Sequence, residues 1–255
     1  MPATDRAPGI AAPFDGVDLV CLDAAGTLFH LRGPLGAVYA QHALAHGLAP
    51  VDNLADRLER RFHHRFAEMP PPVYRAGDRV YNDRVDRDWW RSLVVRVFEG
   101  LGPMHFEPFF DQVYALFADA RRWTVYPEVH ATLAALRQAG LKLAIVSNFD
   151  ARLFPVCEGL GLLAAVDAVL IAAEAGAAKP DAAIFYAALR CFGTMPERAV
   201  HVGDSWREDA LAASAAGLRA VHLQRSGHPL PDALPPRVGV IKDLAGLTHL
   251  LVRGG

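Results

Sequence analysis

Residues 18–29 read DLVCLDAAGTLF, and this stretch decides how the rest of the chain is interpreted. Its apolar run at 19–22 is typical of a strand buried inside a parallel sheet. The run ends at the carboxylate of Asp23, and Gly26 and Thr27 allow a sharp turn soon afterwards. Because parallel α/β sheets bind ligands at the carboxyl ends of their strands, Asp23 is either a functional acid or a solvated turn residue.

The composition describes a folded protein that has no electrostatic footprint for nucleic acid. Of the 255 residues, 52% are hydrophobic, so the chain can bury a substantial core. A net charge of −2 predicts no binding to nucleic acid or to an acidic membrane surface. No stretch is long and apolar enough for a membrane span. Residues 1–16 lack the apolar segment of a signal peptide and are expected to form a mobile leader.

The cysteines indicate a reducing compartment. Cys21, Cys157 and Cys191 are scattered, odd in number and set among apolar residues. We expect all three to be buried, reduced thiols, which favours a cytoplasmic protein.

The pattern of apolar residues divides the chain into two kinds of structure. After residue 122, strands are predicted at 141–147, 168–172, 199–202, 219–223 and 238–241, and helices at 127–139, 151–160, 181–192, 209–216 and 244–252. Such alternation predicts an α/β fold with a parallel, Rossmann-like sheet, which the opening strand joins. Residues 34–121 show only helical patterns, at 35–46, 54–69, 86–100 and 106–121, with a loop at 73–83. We therefore predict a discontinuous core at 17–33 and 122–255, with a helical domain inserted at 34–121.

Several predicted strands end in polar groups that could share one edge of the sheet. Ser147 ends the strand at 141–147, and Asp204 comes shortly after the strand at 199–202. Lys179 begins the helix that precedes the second of these strands. Asp23 and Asp204 offer the oxygen ligands that Mg²⁺ prefers, while Ser147 and Lys179 could hold the oxygens of an anion. Asp23 could then attack phosphorus and form an acyl-phosphate that water hydrolyses. Taken singly, each residue has an ordinary structural interpretation as a cap, a surface charge or a turn residue.

Four motifs, in this order, resemble the haloacid dehalogenase-like (HAD) hydrolase superfamily. They are DAAGTL at 23–28, SN at 147–148, KP at 179–180 and GDSWRED at 203–209. The helical insert resembles the cap of that superfamily, and the runs SNFD and KPD resemble its haloacid-dehalogenase-like hydrolase domain-containing proteins.

The resemblance implies a role for each motif residue. It implies that Asp23 is the nucleophile, that Asp23, Asp204, Asp209 and the carbonyl of Ala25 surround Mg²⁺, that Ser147 and Lys179 bind the anion during catalysis, and that Asn148 and Thr27 contact substrate. The implied protein is a Mg²⁺-dependent hydrolase of a small anionic substrate, most simply a phosphate ester. We expect it to be a monomer or a homodimer.

One position departs from the phosphatases of that superfamily. They carry a second Asp two residues after the nucleophile, which protonates the leaving group, and this chain has Ala25 there. The resemblance leaves several interpretations. Phosphonate-cleaving relatives need a cap lysine, and no lysine precedes Lys142. Dehalogenation of 2-haloacids is disfavoured because Asp204, Glu208 and Asp209 would repel a carboxylate substrate.

A phosphatase of reduced or rerouted activity is the interpretation we favour. Its acid could be water, the leaving group itself or His30, although His30 is more simply a loop residue. A non-catalytic anion-binding module also stays open.

The insert offers two further features. Arg57, Arg60, Arg61 and Arg65 form either a solvated face or a surface that attracts an anionic substrate. Of Trp89 and Trp90, we expect one to pack inside the insert and the other to line the cleft or a partner surface.

Overall fold

The computed structural model describes residues 14–75, 77–225, 230–231 and 233–252. Their strands are Leu19–Leu22 (β1), Phe29–Leu31 (β2), Trp123–Val125 (β3), Lys142–Ser147 (β4), Ala168–Ile171 (β5), Ala199–Gly203 (β6), Arg219–Leu223 (β7) and Val238–Ile241 (β8). Their α-helices are Leu35–Ala45 (α1), Leu54–Glu68 (α2), Arg79–Phe98 (α3), Phe106–Leu116 (α4), Val129–Gln138 (α5), Leu153–Gly159 (α6), Ala172–Ala175 (α7), Ala182–Phe192 (α8), Ala212–Ala215 (α9) and Ala245–Leu251 (α10). A π-helical turn spans Trp206–Leu211.

Six of these strands form one parallel sheet in the order β5-β4-β1-β6-β7-β8, which confirms the predicted α/β fold. β1 lies inside this sheet, where Leu22 is in register with Ile145 of β4 and Val202 of β6. All four residues of β1 are buried because both faces of the sheet are covered. Leu22 and Val20 pack in one core cluster, and Leu19 and Cys21 pack in the other, as alternation along a strand requires.

The sequence did not predict a small antiparallel ribbon formed by β2 and β3. Phe29 is in register with Val125, and its ring meets Trp123 edge to face at 5.3 Å between centroids. Each strand has three residues, which is too short for a period-of-two pattern, and the whole of α1–α4 separates them in sequence. The ribbon therefore joins the sheet core to the four-helix insert, the name used here for α1–α4.

Two helix boundaries in the four-helix insert differ from those predicted. α3 begins at Arg79 rather than residue 86, because the Asp78 side chain caps it by accepting a hydrogen bond from the backbone N–H of Tyr81. The predicted loop at 73–83 is therefore wrong in its second half. α4 ends at Leu116 rather than residue 121. A separate short turn, Ala120–Arg122, follows it and is capped by the Asp119 side chain. The mostly exposed start of α3 lacks the apolar stripe on which the prediction depended.

Two expectations about single residues are also corrected. Phe14 is 7% exposed and belongs to the core, so the predicted leader does not include it. Residues 1–13 of that leader lie outside the described residues. Cys21 and Cys157 are buried free thiols as expected, whereas Cys191 is exposed on α8. Within the described ranges, no helix is both long and apolar enough to cross a bilayer.

A buried carboxyl lies where the four-helix insert contacts the core. Asp86 of α3 accepts a hydrogen bond from the Tyr74 hydroxyl at 2.6 Å, while its Oδ2 has no partner among the described residues. Burial raises the pKa of Asp86 to about 7, and the charges of Asp150 and Asp83 add to this effect. One turn earlier on the helix, the Asn82 amide donates to the backbone carbonyl of Ala173.

We expect Asp86→Asn to stabilise the protein at neutral and alkaline pH. A folded-state pKa above the ordinary carboxyl value of about 4 means that the stability Asp86 contributes is present at low pH and lost as pH rises through about 7. Asparagine stays neutral and can still accept the hydrogen bond from Tyr74. The variant should therefore be more stable than the native protein by about 1–2 kcal/mol near pH 8, with a smaller difference near pH 5.

Urea unfolding at the two pH values measures this difference. Asp88→Asn is the matched control, because it removes a carboxylate from an exposed position on the same helix. An Asp86→Asn advantage that does not change with pH would contradict the assignment.

Candidate active site

The carboxyl edge of the sheet faces a cleft of about 660 Å³ that the four-helix insert covers. The lining on the sheet side includes Asp23, Ser147, Lys179 and Asp204, so the strand ends do converge as the sequence predicted. The cleft is open to solvent at Asp204 and buried at Lys179.

Lys179 lies at the bottom of the cleft between two carboxylates. Its Nζ donates to Asp23 Oδ1 at 2.6 Å and to Asp209 Oδ1 at 2.6 Å. Burial alone would lower the pKa of Lys179, but the charges of Asp209 and Asp23 together raise it above its ordinary value. The side chain is therefore a cation, and its 3% exposure leaves the two acids as its main electrostatic partners.

Asp209 lies on the π-helical turn and has two further hydrogen-bond contacts besides the one from Lys179. Its Oδ1 also contacts His201 Nε2 at 2.8 Å, and its Oδ2 accepts from the Ser205 backbone N–H at 2.9 Å. Burial opposes ionisation of Asp209, but Lys179 and His201 lower its pKa well below the usual range. Burial lowers the pKa of His201, so we assign a neutral ring that donates its Nε2 proton to Asp209.

Asn148 fixes the backbone of Lys179 through two hydrogen bonds. Its side-chain oxygen accepts from the Lys179 N–H at 2.7 Å, and its Nδ2 donates to the Lys179 carbonyl at 2.9 Å. The same Nδ2 lies 3.3 Å from Glu208 Oε2. Ser147 is buried beside it, with its hydroxyl accepting from the Phe149 N–H at 3.2 Å. Asn148 also lines the cleft, so its predicted contact with substrate stays a prediction beside this positioning role.

The predicted substrate contact at Thr27 is wrong, because the structure buries this side chain. Thr27 is 0% exposed, and its hydroxyl donates to Asp204 Oδ1 at 3.2 Å. Next to it, Gly26 has a φ of +87°, and a Cβ at this position would overlap the Asp204 carboxylate. The turn after β1 therefore needs glycine and holds Asp204 against the end of the strand.

Asp23, Asp204 and Asp209 each place a carboxylate oxygen within 4.8 Å of the others. Burial raises the pKa of Asp23, although Lys179 opposes the change. The pKa of Asp204 is raised to about 7, first by loss of solvation in the cleft and then by the charges of Asp23 and Asp209. Three crowded carboxylates, of which Asp23 and Asp204 have raised pKa values and Asp204 is open to solvent, fit a hard divalent cation such as Mg²⁺.

The structure does not bring the other candidate residues into the cleft. His30 is exposed, its Nδ1 lies 3.0 Å from the Leu31 carbonyl, and its ring is tilted against that of Tyr126 with 4.8 Å between centroids. The arginine-rich face of α2 does not line the cleft either. Arg61 donates to the Glu99 carbonyl, and Arg65 pairs with Glu68.

The cleft wall contains several residues that sequence reasoning missed. From the four-helix insert and the core they are Tyr39, Glu59, Phe62, His63, Phe66, Phe117, Trp123, Phe149 and Arg152. Trp90 lines the cleft as one of the two tryptophans was expected to do, while Trp89 donates its indole N–H to the Pro70 carbonyl. His201 was missed as well; a single imidazole in the apolar strand β6 was the available signal.

Comparison with known proteins shows the family. A family model described as haloacid dehalogenase-like hydrolase matches residues 17–217. Haloacid dehalogenase-like hydrolase domain-containing protein 3 of Bos taurus is 35% identical over 238 residues, covering 91% of this chain and 92% of that protein. The chain therefore belongs to the haloacid dehalogenase-like hydrolase family, and it is a hydrolase.

Two further similarities bear on the fold and on the chemistry. A phosphoserine phosphatase of Thermus thermophilus is 41% identical over 133 residues, covering 51% of this chain and 53% of that protein. A crystal structure of a dehalogenase superposes with a TM-score of 0.69 at 21% identity, covering 94% of this chain and 99% of that chain. At that identity the dehalogenase shows the shared fold alone.

We expect Lys179→Met to be strongly destabilising, because it leaves Asp23 and Asp209 buried without their cation. Breaking a buried pair in this way costs about 3–5 kcal/mol. Lys142→Met is the matched control, since Lys142 is exposed and pairs with Asp167 at 3.1 Å, where a loss below about 1 kcal/mol is expected. Urea unfolding near neutral pH measures both variants. Equal losses would show that Lys179 does not hold the two acids together.

Proposed function

We propose that this chain is a Mg²⁺-dependent phosphatase that uses Asp23 as a nucleophile on small phosphate esters. The observation that supports this most strongly is the buried Lys179 shared by Asp23 and Asp209 beside the open carboxylate of Asp204. The core at 17–33 and 122–255 supplies this chemistry, and residues 34–121 act as a cap over it.

Asp23 is oriented for attack by its contact with Lys179. One carboxylate oxygen is fixed by Lys179 Nζ, and the other attacks phosphorus. A P–O bond to Asp23 forms as the bond to the leaving group breaks, and its electron pair stays on the leaving oxygen. Ser147 and Lys179 hold the phosphoryl oxygens. Water then attacks phosphorus of the acyl-phosphate, which releases inorganic phosphate and restores Asp23.

The metal would be held by Asp23, Asp204 and the backbone carbonyl of Ala25. When bound, it would neutralise negative charge on the phosphoryl oxygens and the carboxylates. Asp209 already accepts hydrogen bonds from Lys179, His201 and the Ser205 N–H, so we assign it to orienting Lys179 rather than to direct ligation.

A phosphoryl substrate fits this site better than a 2-haloacid does. The carboxylate of a haloacid would approach Asp204 and Glu208 at the open side of the cleft, where like charges repel. A phosphate ester can share a divalent cation with those acids instead. The Thermus thermophilus relative named as a phosphatase supports the same choice. The non-catalytic alternative rests on Ala25, whose methyl group cannot transfer a proton.

Magnesium is expected to raise the melting temperature of the native protein. A ligand that binds only the folded state stabilises it, at about 2–4 °C for each kcal/mol of binding in a chain of this size. Asp204→Asn should reduce the shift, because it removes the exposed carboxylate of the cluster.

Asp181→Asn serves as the control for the magnesium titration. Asp181 caps α8 by accepting from the Ala183 N–H, and asparagine caps helices equally well. Melting curves that ignore millimolar Mg²⁺ in the native protein would count against the metal site.

Restoring the missing acid should change which esters are hydrolysed well. Ala25 lines the cleft but cannot transfer a proton, a step typically worth 10²–10⁴-fold. Ala25→Asp should raise turnover of alkyl phosphates by roughly 10²-fold or more, and of 4-nitrophenyl phosphate far less, because nitrophenolate leaves without a proton. Steady-state kinetics with both substrates measures the difference.

The nucleophile provides the control for this comparison. Asp23→Asn should abolish turnover in the native and Ala25→Asp backgrounds. If the native protein hydrolyses alkyl phosphates at rates ordinary for enzymes and Ala25→Asp changes nothing, another group is the acid. If neither protein turns over any ester while Mg²⁺ still binds, the chain is the non-catalytic module.

A further inference from the structure

The part of the cleft wall that the four-helix insert contributes contains several aromatic rings. Phe62, Phe66 and Trp90 line it from α2 and α3. The rings of Phe62 and Trp90 are nearly parallel, with 6.4 Å between centroids and 17° between planes, and Phe66 stacks on Phe62 at 5.8 Å. Phe66 is 44% exposed although its neighbours are more deeply packed. Adjacent rings with one open face form a surface on which a planar ligand can stack.

Trp123 and Phe149 complete the cleft from the core side. Their rings meet at 5.7 Å between centroids, and both residues line the same cavity as Trp90. A leaving group attached to a phosphoryl group near Asp23 would therefore extend between aromatic side chains of the core and of the four-helix insert.

The charged side chains of the cleft wall already have partners. Arg152 is bound by Asp150, with Nη2–Oδ2 at 2.6 Å, and its guanidinium covers the Tyr114 ring. Glu59 accepts from the Gly36 N–H and contacts His63 Nε2 at 3.2 Å. Among the described residues lining the cleft, the lysine and arginine side chains are thus neutralised by acids. A second anionic group on the substrate would find no free cation there.

Ala25 points to the same kind of substrate by a separate argument. Without a proton donor at this position, the leaving oxygen must depart carrying negative charge. A phenol, with a pKa of about 10, leaves far more readily than an alcohol does. A leaving group with an acidic hydroxyl on an aromatic ring satisfies both the missing acid and the aromatic wall.

We infer that the substrate is an aryl phosphomonoester whose leaving group is an uncharged phenol that stacks on the Phe62–Phe66–Trp90 surface. This inference rests on the proposed function, because it takes Asp23 as the attacking group. The P–O(aryl) bond breaks, its electron pair leaves with the phenolate, and solvent protonates the product afterwards.

Three phosphoryl compounds separate the two requirements. 1-Naphthyl phosphate has both the aromatic ring and the acidic leaving group, acetyl phosphate has only the good leaving group, and benzyl phosphate has only the ring. We expect kcat/KM for 1-naphthyl phosphate to exceed that for benzyl phosphate by about tenfold or more, because a naphtholate leaves more readily than an alkoxide. Acetate leaves more readily still, so acetyl phosphate is the reference compound without a ring, and the change in the ratio of the two kcat/KM values in ring variants measures the aromatic contribution. A kcat/KM for benzyl phosphate as high as that for 1-naphthyl phosphate would overturn the leaving-group requirement while leaving the phosphatase proposal intact.

Phe66 is the position to vary, because its exposed ring can be removed with little loss of packing. Phe66→Ala should lower the ratio of kcat/KM for 1-naphthyl over acetyl phosphate by about threefold to tenfold. Phe66→Leu, which keeps an apolar side chain and folds more safely, should lower it in the same direction. Tyr186→Ala is the matched control, since it removes a 42% exposed aromatic ring from α8, outside the cleft. An unchanged ratio in both Phe66 variants would contradict the inference.

A binding measurement distinguishes failure of this inference from failure of the proposed function. If the native protein hydrolyses none of the esters, the proposed function is wrong, and 1-naphthylmethylphosphonate can still report on the aromatic surface. Aromatic recognition predicts that this compound quenches tryptophan fluorescence and that methylphosphonate does not. The quenching should also be weaker in Phe66→Ala than in the native protein. Equal binding of the two phosphonates would overturn it.

Discussion

The site depends on one buried cation between two buried acids. Lys179 Nζ lies 2.6 Å from both Asp23 and Asp209, and it would be too costly to bury alone. Asp23 follows β1, and Asp209 lies on the π-helical turn after the neighbouring strand β6, so the interaction also links the ends of two adjacent strands at the carboxyl edge of the sheet. The Asn148 side chain holds the lysine backbone, and His201 holds the far acid. The charge balance that keeps Asp23 oriented is therefore also part of what holds the fold together.

The two parts of the chain divide the work of the site between them. In the proposed reaction, groups at the sheet edge act on the phosphoryl centre and contact only the part of a substrate that is transferred. The four-helix insert contributes the rings of Phe62, Phe66 and Trp90 to the cleft wall, where we propose that they contact the leaving group. In this proposal Ala25 ties the two parts together, because without an acid at this position the reaction is limited to leaving groups that need no proton. The chemistry proposed at the sheet edge and the aromatic rings of the insert would then both favour a substrate whose leaving group is a phenol.

The parts of the structure that local pattern determines were predictable from the sequence. Buried parallel strands such as β1, β4 and β6 are continuous apolar runs, and the polar residues at their ends mark the edge where ligands bind. The direction of a side chain within a tight turn was not predictable. Thr27 follows Gly26 at a strand end, as a substrate contact would, but the turn directs it inward to Asp204.

Contacts between distant segments were also beyond local pattern. The ribbon of β2 and β3 pairs strands that flank the entire insert, and the aromatic wall combines residues of α2 and α3 with Trp123 and Phe149. Arg152 of the core donates to the backbone carbonyl of Tyr114 on α4 at 3.1 Å, although 38 positions separate the two residues in sequence. Such pairings depend on how the insert packs on the core.

The most direct test of the account is to find where phosphate is attached to the protein during turnover. The protein is mixed with Mg²⁺ and 4-nitrophenyl phosphate, quenched in acid and digested for mass spectrometry. The account predicts one phosphoryl group on the peptide that contains Asp23, none in Asp23→Asn, and less in Ala25→Asp because the added carboxylate can activate water for the second step. Turnover of the ester with no phosphorylated Asp23 peptide at any time of quenching, or with the phosphoryl group on another residue, would contradict it.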